Sequence, residues 1–246
     1  MLNLIPLGSS GWIPTDTRST SSFLCHTPNI LILLDAGTGL HKLRNYTSLL
    51  DQYDEIHLIL SHYHLDHIIG LSYLPRFVAN KTLHLYGPGK PYYPEGCKEL
   101  LCRFTSPPYF ARTIDTFARE VYFHDYNVAG FQIGKLEIGI EVQQHSHPSF
   151  GITLGHYLHY ATDTNANHST FQKKVQLLLH ECWELKKENA EEHSSLEEIL
   201  NMAKHSDIPR IGLIHLNPFY SENQLTEFQT QNVFNVEEGK VILLNE

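Results

Sequence analysis

Apolar and polar positions along the chain fall into two kinds of pattern. Short runs rich in Leu, Ile and Val recur at Leu2 to Leu7, Ile30 to Leu34, Ile56 to Leu60, Thr82 to Leu85, Lys135 to Val142, Tyr157 to Ala161, Gln176 to Leu179, Arg210 to Ile214 and Lys240 to Leu244. Their length and β-branched content predict strands. Between several of them, Gly39 to Leu50, Ile68 to Val78, Pro94 to Phe104 and Ser194 to His205 show helical spacing. The order is mixed α/β. Tyr86 to Tyr109 carries Pro88, Pro91, Pro94, Pro107 and Pro108 and reads as a surface excursion or lid, with Pro107-Pro108 ending any helix begun near Glu95. Its aromatic residues Tyr92, Tyr93, Phe104 and Tyr109, with Phe110 just beyond, suit a pocket rim, a homodimer contact or ordinary core packing. The acidic run Glu188 to Glu192 reads as a solvated loop or helix start. No fixed-period repeat and no flexible linker divides the chain, so residues 1–246 are expected to form a single domain.

Composition narrows the class. With 41% hydrophobic and 18% charged residues over 246 positions the chain can bury a sizeable core. Its apolar runs are far shorter than the roughly 20 residues that span a bilayer, and the first residues lack a basic segment leading into an apolar stretch. No membrane association and a cytoplasmic location are therefore expected. Cys25, Cys97, Cys102 and Cys182 form no C-x-x-C pair, which points to reduced thiols rather than a zinc ribbon or disulfide framework. A net charge of -9 opposes a polyphosphate backbone, while a small anionic substrate stays compatible with it because bound cations reverse the local sign.

Seventeen histidines stand out, and their placement matters more than their number. Ser61-His62-Tyr63-His64-Leu65-Asp66-His67 follows the apolar run ending at Leu60 and precedes the helical pattern from Ile68. In extended backbone His62 and His64 project to the same side and can share one ion, whereas Asp66 and His67 at the next helix start are displaced enough to serve a second. An H-x-H-x-D-H arrangement arises in a shuffled chain of this composition in only about three cases per thousand, so chance is a poor explanation.

These residues resemble the signature of the metallo-β-lactamase superfamily, and further matches extend the resemblance over nearly the whole chain. Asp35-Ala36-Gly37-Thr38-Gly39 resembles the first motif, whose aspartate supports a ligand histidine from behind. In His145-Ser146-His147-Pro148-Ser149-Phe150-Gly151 the spacing to the glycine selects His145, although His147-Pro148 also resembles a known variant and leaves His147 open. Ala161-Thr162-Asp163-Thr164 is similar to the motif of the metal-bridging aspartate, and Leu213-Ile214-His215-Leu216-Asn217-Pro218 to the last ligand motif. Taken alone, Asp163 would serve equally as a turn or cap residue and His215 as a buried core histidine. The resemblance implies a four-layered αβ/βα sandwich with His62, His64 and His145 on one divalent ion, Asp66, His67 and His215 on the other, and Asp163 between them. Nitrogen and oxygen donors without thiolate suit zinc and leave manganese or iron open.

Such a site implies hydrolysis by a water held between two ions, with Asp66 counted among the catalytic groups. Leu179-His180-Glu181-Cys182 and His193-Ser194-Ser195 resemble segments of ribonuclease Z and related cyclic-phosphate phosphodiesterases in which a Glu–His pair protonates the leaving alkoxide. That resemblance implies a phosphodiesterase using a bridging hydroxide on a small or nucleotide-like diester, with Glu181 and His193 as the acid pair. The alternatives are a lactone or thioester acyl hydrolase of the same fold and a catalytically silent metal-binding module. The chain departs from short ribonuclease Z in lacking a basic, glycine-rich arm and in having Gly151-Ile152-Thr153 where Gly-Tyr-Arg is usual. It departs from the cyclic-phosphate enzymes in lacking an N-terminal cysteine-rich zinc site. With the net charge, the missing arm sets tRNA aside as a partner in favour of a small anionic molecule.

Overall fold

A computed structural model describes residues 1–187, 192–221, 224, 230 and 232–245. The acidic run expected at Glu188 to Glu192 lies outside the described residues except for Glu192. The chain first lays down β1 (Leu2–Gly8), β2 (Ser22–His26), β3 (Leu31–Leu34), β4 (Glu55–Ile59), β5 (Thr82–Pro88) and β6 (Glu120–Tyr126). It then lays down β7 (Phe131–Ile133), β8 (Leu136–Gln143), β9 (Ser149–Leu154), β10 (Leu158–Ala161), β11 (Leu177–Glu181), β12 (Arg210–Ile214) and β13 (Val233–Asn235). Finally β14 (Ile242–Leu244) returns to pair with β1, giving two seven-stranded sheets of order β14-β1-β2-β3-β4-β5-β6 and β13-β12-β11-β10-β9-β8-β7. Each sheet is antiparallel at one side and parallel at the other, the parallel parts being β3 to β6 and β10 to β13.

Runs such as Leu31 to Leu34 and Leu177 to Leu179 are apolar at every position because both faces of the sheet are covered there. In β3, Leu31 and Leu33 enter a core shared with the outer helices, while Ile32 and Leu34 enter a core between the sheets. In β11, Leu177 and Leu179 face the inter-sheet core and Leu178 faces a third core with Leu196, Ile199 and Ala203 of α6 (Leu196–Ala203). Three parallel cores separate four layers, helix–sheet–sheet–helix, as expected for the αβ/βα sandwich.

The outer helices are more broken than their sequence pattern suggests. Gly39 to Leu50 folds as a 3-10 segment, Thr38–Tyr46, running into the single turn of α1 (Thr47–Leu50). Ile68 to Val78 divides into α2 (Leu65–Ile68), a 3-10 segment, Ile69–Tyr73, and α3 (Pro75–Val78). Close approach to the loop after β3 is the cause: Gly70 N–H donates to Ala36 O at 2.7 Å, and a Cβ at Gly70 would sit 2.1 Å from Gly37 O. A regular helix cannot bring its backbone so near. The pattern from Pro94 to Phe104 folds as α4 (Cys97–Phe104), and α5 (His168–Phe171) is a single turn. A capping box fixes the start of α6: Ser195 Oγ accepts from Glu198 N, and Ser195 N donates to Glu198 Oε2 at 3.1 Å.

The proline-rich stretch packs onto the body of the fold. Tyr92 meets Phe150 edge to face at 4.8 Å, Tyr93 meets Tyr63 at 5.0 Å and donates to Pro148 O at 2.9 Å, and Phe110 packs between Phe104 and Phe117. Tyr109 alone of these aromatics is largely exposed. All four cysteines are free thiols. Among the described residues no helix is long and apolar enough to cross a membrane.

Candidate metal centre

The carboxyl ends of parallel strands are where an open sheet exposes a crevice, and here both sheets bring such ends to one place. Asp35 follows β3, His62 follows β4, Asp163 follows β10, Glu181 ends β11 and His215 follows β12. Asp35, Asp163 and His215 have φ of 55°, 49° and 48°. With Trp12, at 60°, they are the non-glycine residues with positive φ among those described, and this strain is gathered at one spot.

Around Asp163 the side chains converge in two sets. His62 Nε2 and His145 Nε2 lie 3.9 and 3.5 Å from Asp163 Oδ1, and His145 Nε2 lies 3.3 Å from His64 Nδ1. His67 Nε2 and His215 Nε2 lie 3.0 and 3.3 Å from Asp163 Oδ2, and both are near Asp66 Oδ2, at 3.4 and 3.3 Å. Each set, His62, His64, His145 and Asp163 on one side and Asp66, His67 and His215 on the other, brings its ligand atoms close enough to hold one ion. His147 is exposed, with its ring 5.8 Å from that of His64, and belongs to neither set.

Asp35 supports this arrangement from behind. Fully buried, it accepts from Ser61 N (2.7 Å), Ser61 Oγ (2.8 Å), His67 Nδ1 (2.7 Å) and Tyr160 OH (2.6 Å). Burial opposes charge on His67, but Asp66, Asp163 and Asp35 raise it well above the ordinary imidazole range, and with Nδ1–H donated to Asp35 its Nε2 is the nitrogen that faces Asp66 and Asp163. Burial and the neighbouring His67 hold His62 well below the ordinary imidazole range, so it is a neutral donor at physiological pH. Burial also lowers His64 and His145. Burial would lower His215 too, but Asp163, Asp66 and Glu181 overcome it and push it up to about 10. Three carboxylates thus face an inner group of imidazoles, a donor set suited to divalent cations. The fit shows in His62 Nε2, which is buried, makes no hydrogen bond and faces Asp163.

Beside this cluster stands a second constellation. Glu181, fully buried, accepts from Thr164 N at 2.7 Å and from His193 Nδ1 at 2.8 Å, and its Oε2 lies 3.5 Å from His215 Nδ1. Burial opposes the charge on His193, yet the Glu181 carboxylate raises its pKa above the ordinary imidazole value. Sequence reasoning overlooked the surroundings of these groups. Trp183 stacks on His193 at 5.3 Å and packs on His215 at 5.6 Å, Trp12 N–H donates to Asp66 Oδ2 at 2.8 Å, and a Cβ on Gly11 would meet the His215 ring at 2.5 Å. The Gly-Trp pair in the loop after β1 was the available signal, but neither residue type names a role by itself.

The sequence profile of the family described as Anti-Pycsar protein Apyc1 matches residues 2–241. The chain belongs to that family. It is also 23% identical to a ribonuclease Z of Pyrococcus furiosus over 277 aligned residues, covering 90% of this chain and 88% of the relative. Among solved structures, the metallo-β-lactamase fold protein YhfI of Bacillus subtilis superposes with a TM-score of 0.77 at 20% identity, over 98% of both chains. Human tRNase Z, short form, gives a TM-score of 0.73 at 17% identity, over 99% of this chain and 100% of that one. The fold is that of the metallo-β-lactamases, and the protein is a metal-dependent hydrolase of that superfamily near ribonuclease Z. The exclusion of tRNA drawn from net charge and the missing arm does not stand. A ribonuclease Z and a tRNase Z match over most of this chain, and a charge summed over the whole surface says nothing of the field at one crevice.

Proposed function

We propose that this protein is a two-metal phosphodiesterase acting on a small or nucleotide-like phosphodiester. One ion would be held by His62, His64 and His145, the other by Asp66, His67 and His215, with Asp163 shared between them. Zinc suits the nitrogen and oxygen donors, and manganese or iron can use the same set. When bound, the ions supply an activated water and neutralise charge on the phosphoryl oxygens.

The chain's own groups supply the rest. Asp66, which accepts the backbone N–H of Trp12, would orient the attacking water. Asp35 keeps the imidazole of His67 in one tautomer. Glu181 takes the Nδ1–H of His193, so His193 can deliver the proton on its other nitrogen to the leaving alkoxide. His193 is buried enough to be held and exposed enough to meet substrate, at 21% side-chain exposure.

The observation that carries this reading is the Glu181–His193 pair set against the Asp163 cluster. A sugar alkoxide needs a proton donor, whereas an enolate or thiolate leaving group needs far less help. The test compares His193→Ala on a diester with an alkyl leaving group and on one with a p-nitrophenyl leaving group. Activity on the first should fall by about 10²- to 10⁴-fold and on the second far less; equal losses on both would remove His193 from the leaving-group role.

A further inference from the structure

The mouth of the candidate centre carries two large aromatic side chains that its chemistry does not use. Trp12 and Phe219 are 59% and 72% exposed, and their rings meet at 5.9 Å, tilted by 60°, to form an open apolar corner. Exposing two such rings side by side forfeits burial that a core position would give, so the pair calls for an occupant.

Both rings are held by backbone that also holds the site. Trp12 follows Gly11, packed on the His215 ring, and donates its N–H to Asp66 at 2.8 Å with φ at 60°. Phe219 lies four residues beyond His215 in a turn closed by Phe219 N to Asn217 Oδ1 at 3.0 Å. The two loops are tied together by Leu216 N to Ser9 O and Gly11 N to Leu216 O, both at 3.0 Å. The backbone that carries both rings is thus tied to Asp66 and to the loop of His215.

We infer that Trp12 and Phe219 form a specificity-determining corner that stacks the base of a nucleotide whose phosphodiester lies in the Asp163 cluster. The inference rests on the phosphodiesterase reading and adds which part of the substrate is recognised and by which residues. A flat ring can lie on one aromatic face and meet the other edge-on, and such stacking accepts any base because every base has a π-face.

The test uses two diesters with the same leaving group, the p-nitrophenyl ester of thymidylate and methyl p-nitrophenyl phosphate. Any contact with the nitrophenyl ring cancels in the ratio of their kcat/KM values. In Phe219→Ala and in Trp12→Leu the thymidylate-to-methyl ratio should fall on the order of tenfold, mostly through KM, while Trp12→Phe keeps most of it. A ratio within twofold of the unaltered protein in both variants, with or without an equal loss on the two esters, would overturn the inference. So would loss of a dimer by light scattering with the ratio unchanged. If the unaltered protein hydrolyses neither ester, the phosphodiesterase reading fails separately. The corner is then read from Trp12 emission in a Trp183→Phe background titrated with thymidine monophosphate: saturable quenching that Phe219→Ala weakens supports it, and its absence overturns it.

Discussion

Replacing Asp35 by Asn is a nearly isosteric change in a fully buried group with four donors on it, three of them on one oxygen. An amide offers one acceptor oxygen and two N–H donors, so either the Ser61 amide or the set formed by Ser61 Oγ, His67 and Tyr160 must face an N–H. The two hydroxyls can rotate, but His67 can accept only by moving its proton from Nδ1 to Nε2, the nitrogen facing Asp66 and Asp163. Breaking a buried hydrogen-bonded charge costs about 3–5 kcal/mol. At roughly 2–4 °C per kcal/mol for a chain of this size, the melting temperature should drop by roughly 6–20 °C. Loss of the supporting group behind a ligand histidine should also weaken metal binding about 10- to 100-fold. Calorimetry of the metal-free protein reads the first effect, and competition for zinc against a chromophoric chelator reads the second. A variant with unchanged zinc affinity and a melting temperature within about 1 °C would refute the role given to Asp35.

Two other substitutions probe independent parts of the structure. His57, 8% exposed and stacked on His84 at 4.8 Å, has its pKa pushed down to about 4 by burial and then by His84 and His124, although Glu55 stands 4.0 Å away. The unfolded chain therefore binds the proton first as pH falls below the model-peptide value of 6.5, and stability should fall by up to about 2 kcal/mol between there and about pH 5. Denaturant midpoints at the two pH values should show a shallower acid loss in His57→Phe; an identical loss would assign it to other groups. Gly11→Ala places a methyl 2.5 Å from the His215 ring, so the imidazole must move. Diester turnover should fall by at least about tenfold for a stability cost of about 1–3 kcal/mol, and full turnover would show that His215 tolerates displacement.

Much of the fold was legible because runs such as Leu31 to Leu34 and Leu177 to Leu179 are apolar on both faces, the mark of strands covered by two layers. β2, Ser-Phe-Leu-Cys-His, escaped notice although Phe23 and Cys25 enter one core and Leu24 another, because the run is short; two other missed strands lack that mark. β6, Glu-Val-Tyr-Phe-His-Asp-Tyr, is an edge strand mixing charged and aromatic residues, and β9 carries Gly151 and Thr153 among its apolar positions. The helical pattern from Ile68 to Val78 misled because Gly70 is set by a contact with Gly37 that no local period encodes. At the site, the H-x-H-x-D-H run carried its own spacing. Asp163, His145 and His215 needed the family pattern, since a lone aspartate or histidine at a strand end has many uses. Trp12, Gly11 and Trp183 could not be read in advance, because their parts come from backbone hydrogen bonds and ring contacts with residues distant in sequence. The charge of -9 was legible and misleading, because it averages over a surface whose relevant portion is one crevice.

Asp163 stands between both sets of imidazoles, with a carboxylate oxygen directed to each. The most direct test of a two-metal phosphodiesterase is hydrolysis of bis(p-nitrophenyl) phosphate by the protein loaded in turn with zinc and with manganese, beside Asp163→Ala treated alike. The expected result is turnover with at least one metal that vanishes in the variant; no turnover with either metal, or equal turnover by Asp163→Ala, would contradict it.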